Sequence, residues 1–276
     1  MQAKALASWE EAVVELRGRA DAQDLVRACF YDDPLIEAAQ RYWQSTEWQA
    51  IQSYLPARTG AGAALDVGAG RGIAAYALAR DGWHVTALEP DPSDIVGAGA
   101  IRSLAHSAEL RIDVNQTWGE ELPFATASFD LVHCRQVLHH ARDLEQLCRQ
   151  IGRVMKPGAI FIATREHVIS RRDDLPAFLD SHPLHKLYGG ENAYLVSEYT
   201  DAIAQAGIRI DRTLNPMQSD INLFPSTLAD VKKRWAKRLH LPSARLVPNV
   251  ALALVGARSS TPGRLYSFVG TKVTYG

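Results

Sequence analysis

Residues 65–72 read Leu-Asp-Val-Gly-Ala-Gly-Arg-Gly, and Glu89 follows at the end of a second apolar run, Val85-Thr86-Ala87-Leu88. Ala64 to Val67 is a short apolar stretch, Gly68-Ala69-Gly70-Arg71-Gly72 stops it, and Ile73 to Arg80 then has helical periodicity. The order is strand, glycine-rich turn, helix. Glycines at such a turn let a ligand approach the backbone, and the helix N-terminus favours an anionic group. An acid ending the next strand can accept both ribose hydroxyls. These features describe a nucleoside-type ligand.

Outward from this motif the same alternation continues. His84 to Leu88 is a second strand, Ser93 to His106 a helix, Leu110 to Val114 a third strand and Phe129 to Cys134 a fourth. Leu144 to Val154 is amphipathic, Lys156-Pro157-Gly158 breaks it, and Ala159 to Thr164 is a fifth strand. This spacing predicts an α/β fold with a doubly wound parallel sheet and ligands at the carboxyl ends of its strands. Arg165 to Val196 is rich in His, Pro, Gly and Asp and reads as an active-site insertion or lid. Ser197 to Gly207 is a helix, Ile208 to Leu214 a strand, and Leu265 to Val273 a final strand. Ser226 to Leu239 is a basic amphipathic helix, expected to cover the ligand edge. Upstream, Trp9, Val13 and Leu16, then Leu25, Val26 and Cys29, recur at helical spacing. Pro34 can begin a helix, and another runs through Ala38, Tyr42, Trp43 and Trp48 to about Tyr54, ended by Pro56 and Gly60.

The 276 residues are 47% hydrophobic and 22% charged, the composition of a globular chain. Lys plus Arg (30) nearly equals Asp plus Glu (31), so charge gives no attraction to nucleic acid or an anionic membrane. Three cysteines, Cys29, Cys134 and Cys148, form no CxxC pair and fit a reduced cytoplasm rather than a disulfide framework or zinc site. No stretch approaches the roughly 18 apolar residues of a membrane span, and the first residues lack a secretory pattern, so a cytoplasmic location is expected.

Two nucleoside ligands compete for the glycine turn. A dinucleotide fingerprint, GxGxxG, needs a third glycine where this chain has Ile73. Asp66, just ahead of the turn, would repel a pyrophosphate but can face the ammonium of a methionine moiety. The balance favours S-adenosylmethionine over a nicotinamide cofactor. With LDVGAGRG (65–72), VTALEPD (85–91), GEELPFATASFDLVHCRQVLHH (119–140) and RVMKPGAIFIATREH (153–167), the chain resembles the class I S-adenosylmethionine-dependent methyltransferases over roughly residues 61–167. The resemblance implies a Rossmann-like seven-stranded sheet whose last strand is antiparallel. It further implies that Asp66, Gly68, Ala69 and Gly70 line the methionine end, Glu89 holds the ribose and Pro90 packs near adenine, with Cys134 and Arg135 beside the methionine group. Where the family commonly has Asp, this chain has Trp118, which can pack on adenine and leave the Gly119 backbone or the Glu120 carboxylate to take its hydrogen bond. One domain spanning 1–276 is expected: a helical cap (1–60), a cofactor-binding core (61–167), and acceptor-binding insertions with the final strands (168–276).

Methyl transfer is an in-line displacement, so alignment in a dry site matters most, and a base is needed only if the acceptor must lose a proton. His139 and His140 follow the fourth strand, and Arg165, Glu166 and His167 the fifth. For His139 and His140 the plain alternative is loop packing or a helix cap. His139 and His167 are the candidate catalytic residues, and Arg165, His185 and Tyr188 candidate acceptor contacts. Residues 182–192 carry two His, a Tyr and a Glu in a glycine-rich turn and read as acceptor recognition or a structural loop; with His167 they could bind a metal, but their spacing matches no zinc pattern, and no metal is expected. Tyr42 and Trp43, in an aromatic-dense segment, read either as core or as a lid over the sulfonium. The run Lys232–Arg238 reads as a solvated helix face around Trp235 rather than a nucleic-acid patch. A small-molecule acceptor methylated on O or N is the expectation. The alternatives are a protein that binds S-adenosylmethionine or S-adenosylhomocysteine without methylating anything, and an NAD(P)-dependent reductase.

Overall fold

The computed structural model describes residues 6–56 and 62–274. Five parallel strands carry the sheet: β1 (Ala63–Val67), β2 (His84–Leu88), β3 (Ile112–Asn115), β4 (Phe129–Arg135) and β5 (Met155–Ile169). A two-residue β6 (Tyr194–Leu195) pairs with the end of β5, and β7 (Ile208–Leu214) and β8 (Arg264–Lys272) complete the sheet. The order is β3-β2-β1-β4-β5-β8-β7, with β8 antiparallel to both neighbours. The seven-strand expectation is met, with β6 as an added edge piece. Strand order reverses between β1 and β4, which opens a crevice at their carboxyl ends.

Period-two alternation decides which helices each strand buries. On β4, Val132 and Cys134 face one layer and Leu131 the other. Before the sheet lie α1 (Trp9–Gly18), α2 (Gln23–Ala28), α3 (Leu35–Trp43) and α4 (Thr46–Gln52). Helices α3 and α4 join α5 (Ile73–Arg80) and α6 (Ala98–Ser107) against Leu131, Ile162 and Val269. The other face is covered by α7 (Leu144–Val154), whose Leu144, Leu147, Cys148 and Ile151 form one apolar stripe. Further on come α8 (Leu175–Ser181), α9 (His185–Tyr188), α10 (Val196–Gln205), α11 (Asp220–Leu223), α12 (Leu228–Arg238) and α13 (Asn249–Arg258).

Four departures from the sequence reading have local causes. Helix α6 starts at Ala98 rather than Ser93, because the Ser93 hydroxyl accepts from Ile95 and Val96 and holds a turn there. Strand β5 begins at Met155 rather than Ala159, so Lys156-Pro157-Gly158 follows the helix end as expected but lies inside the strand. Between two paired positions β4 advances from 129 to 131 while β5 advances from 155 to 160, and the tripeptide lies within that irregularity. The segment expected as an insertion from Arg165 first continues β5 to Ile169, then forms α8 and α9. Finally, α12 does not cover the ligand edge; Val231 and Ala236 pack with Val247 and Leu252, the latter from α13, which sequence periodicity did not show. Gly60, expected to help end the helix before the sheet, lies outside the described residues. No helix among the described residues is long and apolar enough to cross a membrane.

Candidate functional site

A cavity of about 840 Å³ opens at the carboxyl ends of β1, β2, β4 and β5. Its first wall is the glycine turn. Gly68 and Gly70 have φ of 61° and 53°, and a Cβ on Gly68 would lie 2.7 Å from Val137 Cγ2. Only glycine fits that bend without strain. The Gly70 N–H donates to Glu89 Oε2 at 2.7 Å and the Asp91 N–H to Oε1 at 3.0 Å, which aims the carboxylate at the turn. Burial pushes Glu89 up to about 7, helped by the charges of Asp91 and Asp66 and opposed by those two N–H groups. Asp66 is buried beside it, one oxygen 2.8 Å from His133 Nδ1 and the other without a partner. That orphaned acceptor suits an ammonium donor, and the residues present fit S-adenosylmethionine. His133, which holds Asp66 from behind without lining the cavity, is a partner the sequence reading missed; only its register opposite Asp66 reveals it.

Of the remaining cofactor candidates, Ala69, Pro90, Trp118, Gly119, Glu120 and Arg135 line the cavity. Trp118 is 52% exposed, and the Arg142 guanidinium lies 4.3 Å from its ring centroid. Glu120 already accepts from the Arg142 N–H at 3.0 Å. Cys134 does not line the cavity: strand alternation sends its side chain into the core with Leu147 and Cys148.

The second wall is built on buried charge. Arg135 donates to both oxygens of the fully buried Glu47, at 2.7 and 3.1 Å. Arg165, at a positive φ of 61°, is held by the carbonyls of Ile221 and Phe224 and lies 4.0 Å from Glu47. Tyr42 and Trp43 do not reach the cavity. Tyr42 is core, and the Trp43 and Trp48 indole N–H groups both donate to Asp81, at 2.8 and 2.9 Å. The aromatic cover comes instead from Trp9, Phe30 and Tyr31, earlier in the cap. Trp9 stacks at a tilt on Tyr188 with centroids 4.7 Å apart, joining α1 to α9. Arg71, within the glycine turn, donates to the carbonyls of Phe30 and Asp32 at 3.0 and 2.9 Å and fastens the cap to the core.

The third wall gathers histidines and carboxylates from distant segments. After β4, Gln136 takes a positive φ of 56° and a single helical turn places His139 over β5. There Glu166 accepts from the Val137 and His139 backbone N–H groups, both at 3.1 Å, and meets His139 Nδ1 at 2.6 Å. His139 Nε2 lies 3.6 Å and His167 Nε2 3.9 Å from Glu191 Oε2. Burial alone would lower His139, but its hydrogen bond to Glu166 and the charges of Glu166 and Glu191 outweigh it and hold it at about 9. Burial, reinforced by the His139 cation, pulls His140 down to about 4 and His167 to about 3. Glu191 is held below the ordinary carboxylate range, its burial outweighed by the surrounding histidines, and its Oε1 accepts from Tyr188 at 2.8 Å. Arg165, His167 and Tyr188 thus share the cavity, whereas His185 does not line it. Glu191 and His182, members of the segment read as acceptor recognition but not singled out, line it too.

Comparison with known proteins fits this geometry. Residues 65–163 match the family model described as a methyltransferase domain. The chain is similar to ubiquinone biosynthesis O-methyltransferases: 35% identical over 100 residues to that of Azorhizobium caulinodans, covering 36% of this chain and 38% of the relative. With that of Rhizobium leguminosarum it shares 30% identity over 168 residues, covering 58% and 65%. The chain therefore spans under two thirds of the curated relatives it matches. Among solved structures, a protein described as a putative sarcosine dimethylglycine methyltransferase from Galdieria sulphuraria has the same fold, with a TM-score of 0.58, 20% identity, and 88% and 90% coverage.

Proposed function

We propose that this chain, a member of the class I S-adenosylmethionine-dependent methyltransferases, methylates a hydroxyl oxygen of a small molecule held between its glycine turn and its histidine wall. The observation that carries this reading is the shared cavity: the Asp66–Glu89 wall and the His139–His167–Glu191 wall face one space under an aromatic cover. The oxygen acceptor is supported by the names of the relatives.

S-adenosylmethionine supplies the methyl carbon: attack by the acceptor oxygen forms the C–O bond, breaks the C–S bond, and releases S-adenosylhomocysteine and the hydroxyl proton. Asp66 receives the ammonium on its free oxygen, and Glu89 accepts the ribose hydroxyls. Trp118 packs on the adenine with Gly119 and Glu120 at its edge, and Pro90 flanks it. Arg135, pinned by Glu47, fixes the wall beside the methionine end. His139, His167 and Glu191 hold the acceptor oxygen, while Tyr188 and Arg165 bound the space available to the acceptor. Trp9, Phe30 and Tyr31 exclude water, which sharpens alignment.

The test is a mass-spectrometric assay of S-adenosylhomocysteine formation with hydroxylated aromatic and aliphatic acceptors. Acceptor-dependent product carrying one added methyl on oxygen is expected. Methylation confined to nitrogen or carbon would overturn the oxygen assignment.

A further inference from the structure

We infer that His139, His167 and Glu191 form a site for one divalent transition-metal ion of the zinc type. Their donor atoms all lie within 4.8 Å of one another, and all three side chains are buried. His139 Nε2 and His167 Nε2 stand 3.6 and 3.9 Å from Glu191 Oε2. Donors in a tetrahedral shell 2.0–2.1 Å from zinc sit about 3.3 Å apart, so both histidines stand close to ligand spacing from Glu191, and the three side chains draw together around an ion.

Each donor is oriented by a partner on its far side. His139 Nδ1 meets the Glu166 carboxylate at 2.6 Å, and His167 Nδ1 meets the Gly263 carbonyl at 2.9 Å. Since that carbonyl can only accept, His167 carries its proton on Nδ1 and presents a bare lone pair from Nε2. Glu191 Oε1 accepts from Tyr188, while Oε2, buried, has no hydrogen-bond partner. Carboxylate or carbonyl partners behind ligating imidazoles and a hydrogen bond to the ligating carboxylate are what metal sites use to fix ligands. In the metal-free protein the His139 cation faces Glu191 Oε2 at 3.6 Å, and a metal ion takes the place of the proton on His139 Nε2. Two imidazoles with one carboxylate favour zinc, iron, cobalt or manganese over magnesium or calcium.

The ligands come from three segments, the turn after β4, the end of β5 and the loop after α9, which is why spacing along the chain matched no metal pattern. All three line the cavity, so the remaining coordination positions face the acceptor space. The inference deepens the proposed function: an acceptor hydroxyl meets the group through the ion, which lowers its pKa so that its proton leaves to solvent before the C–O bond forms.

The test titrates chelator-stripped protein with Co2+ in the absence of S-adenosylmethionine, reading visible absorption, with Zn2+ as competitor. One equivalent should bind with a ligand-field band that Zn2+ displaces and millimolar Mg2+ does not. Glu191→Gln and His167→Ala should lose the band, and Tyr188→Phe should weaken Co2+ about 10-fold or more. Binding of S-adenosylhomocysteine by each variant shows that it is folded. No band in the wild-type protein, or an undiminished band in Glu191→Gln and His167→Ala, would overturn the metal site. Because S-adenosylhomocysteine binding is measured separately, that failure is distinct from failure of the methyltransferase reading.

Discussion

The cofactor wall and the histidine wall of the same cavity are built in opposite ways. Gly68, Gly70, Glu89 and the Asp91 N–H belong to consecutive strand ends, and much of what they offer is backbone, with Gly70 and Glu89 nineteen positions apart and bonded directly. His139, Glu166, His167 and Glu191 belong to three segments and offer only side chains, held by contacts such as His139–Glu166 and Tyr188–Glu191. A wall of backbone at a strand end tolerates changes in side chains around it. A wall of interlocked buried charges does not.

The largest effect should come from the buried charge that supports the site. Glu47→Ala leaves Arg135 and Arg165 without their carboxylate and should cost about 3–5 kcal/mol in urea unfolding. A cost below 1 kcal/mol would mean that the two guanidinium groups find other partners. Next, His167→Ala should lower turnover by about 10²-fold or more, while the dissociation constant for S-adenosylhomocysteine stays within about twofold of wild type. If both parameters fell together, the two walls would not be separable.

Titration distinguishes the walls as well. Glu89 stands at about 7 in the free protein, and a ribose diol donates best to its ionised form. Cofactor binding therefore lowers its pKa, and affinity for S-adenosylhomocysteine should rise with pH, about 10-fold from pH 6 to pH 8. Glu89→Gln should flatten that dependence. The smallest expected effect is at Trp118→Ala, where losing one half-exposed ring should weaken binding by about 0.5–1.5 kcal/mol; no change in the dissociation constant would remove Trp118 from the adenine site.

The same contrast explains what could be read from the sequence. Strand β2 and helix α7 have the bounds expected from pattern, and the turn at 68–72 lies where its glycines put it, because each depends on neighbours a few residues away. Asp66–His133 and Glu47–Arg135 join positions 67 and 88 apart, so nothing local signals them. Cys134 and His133 show how fine the margin is: one step along β4 exchanges the layer of α7 for the layer of Trp48, where His133 meets Asp66. The aromatic cover was sought in Tyr42 and Trp43, yet Asp81 and the core claim that segment, and Trp9 and Tyr31 do the covering. Glu191, the carboxylate on which the histidine wall converges, was visible only as one acid in a glycine-rich turn.

Calorimetric titration of S-adenosylhomocysteine into the wild-type protein and Glu89→Ala tests the cofactor assignment most directly. One equivalent should bind to the wild type, the variant should bind more weakly by about 1–3 kcal/mol, and NAD(H) and NADP(H) should give no binding heat. Absence of binding to the wild type, or the same affinity in Glu89→Ala, would contradict the placement of the cofactor between the glycine turn and Glu89.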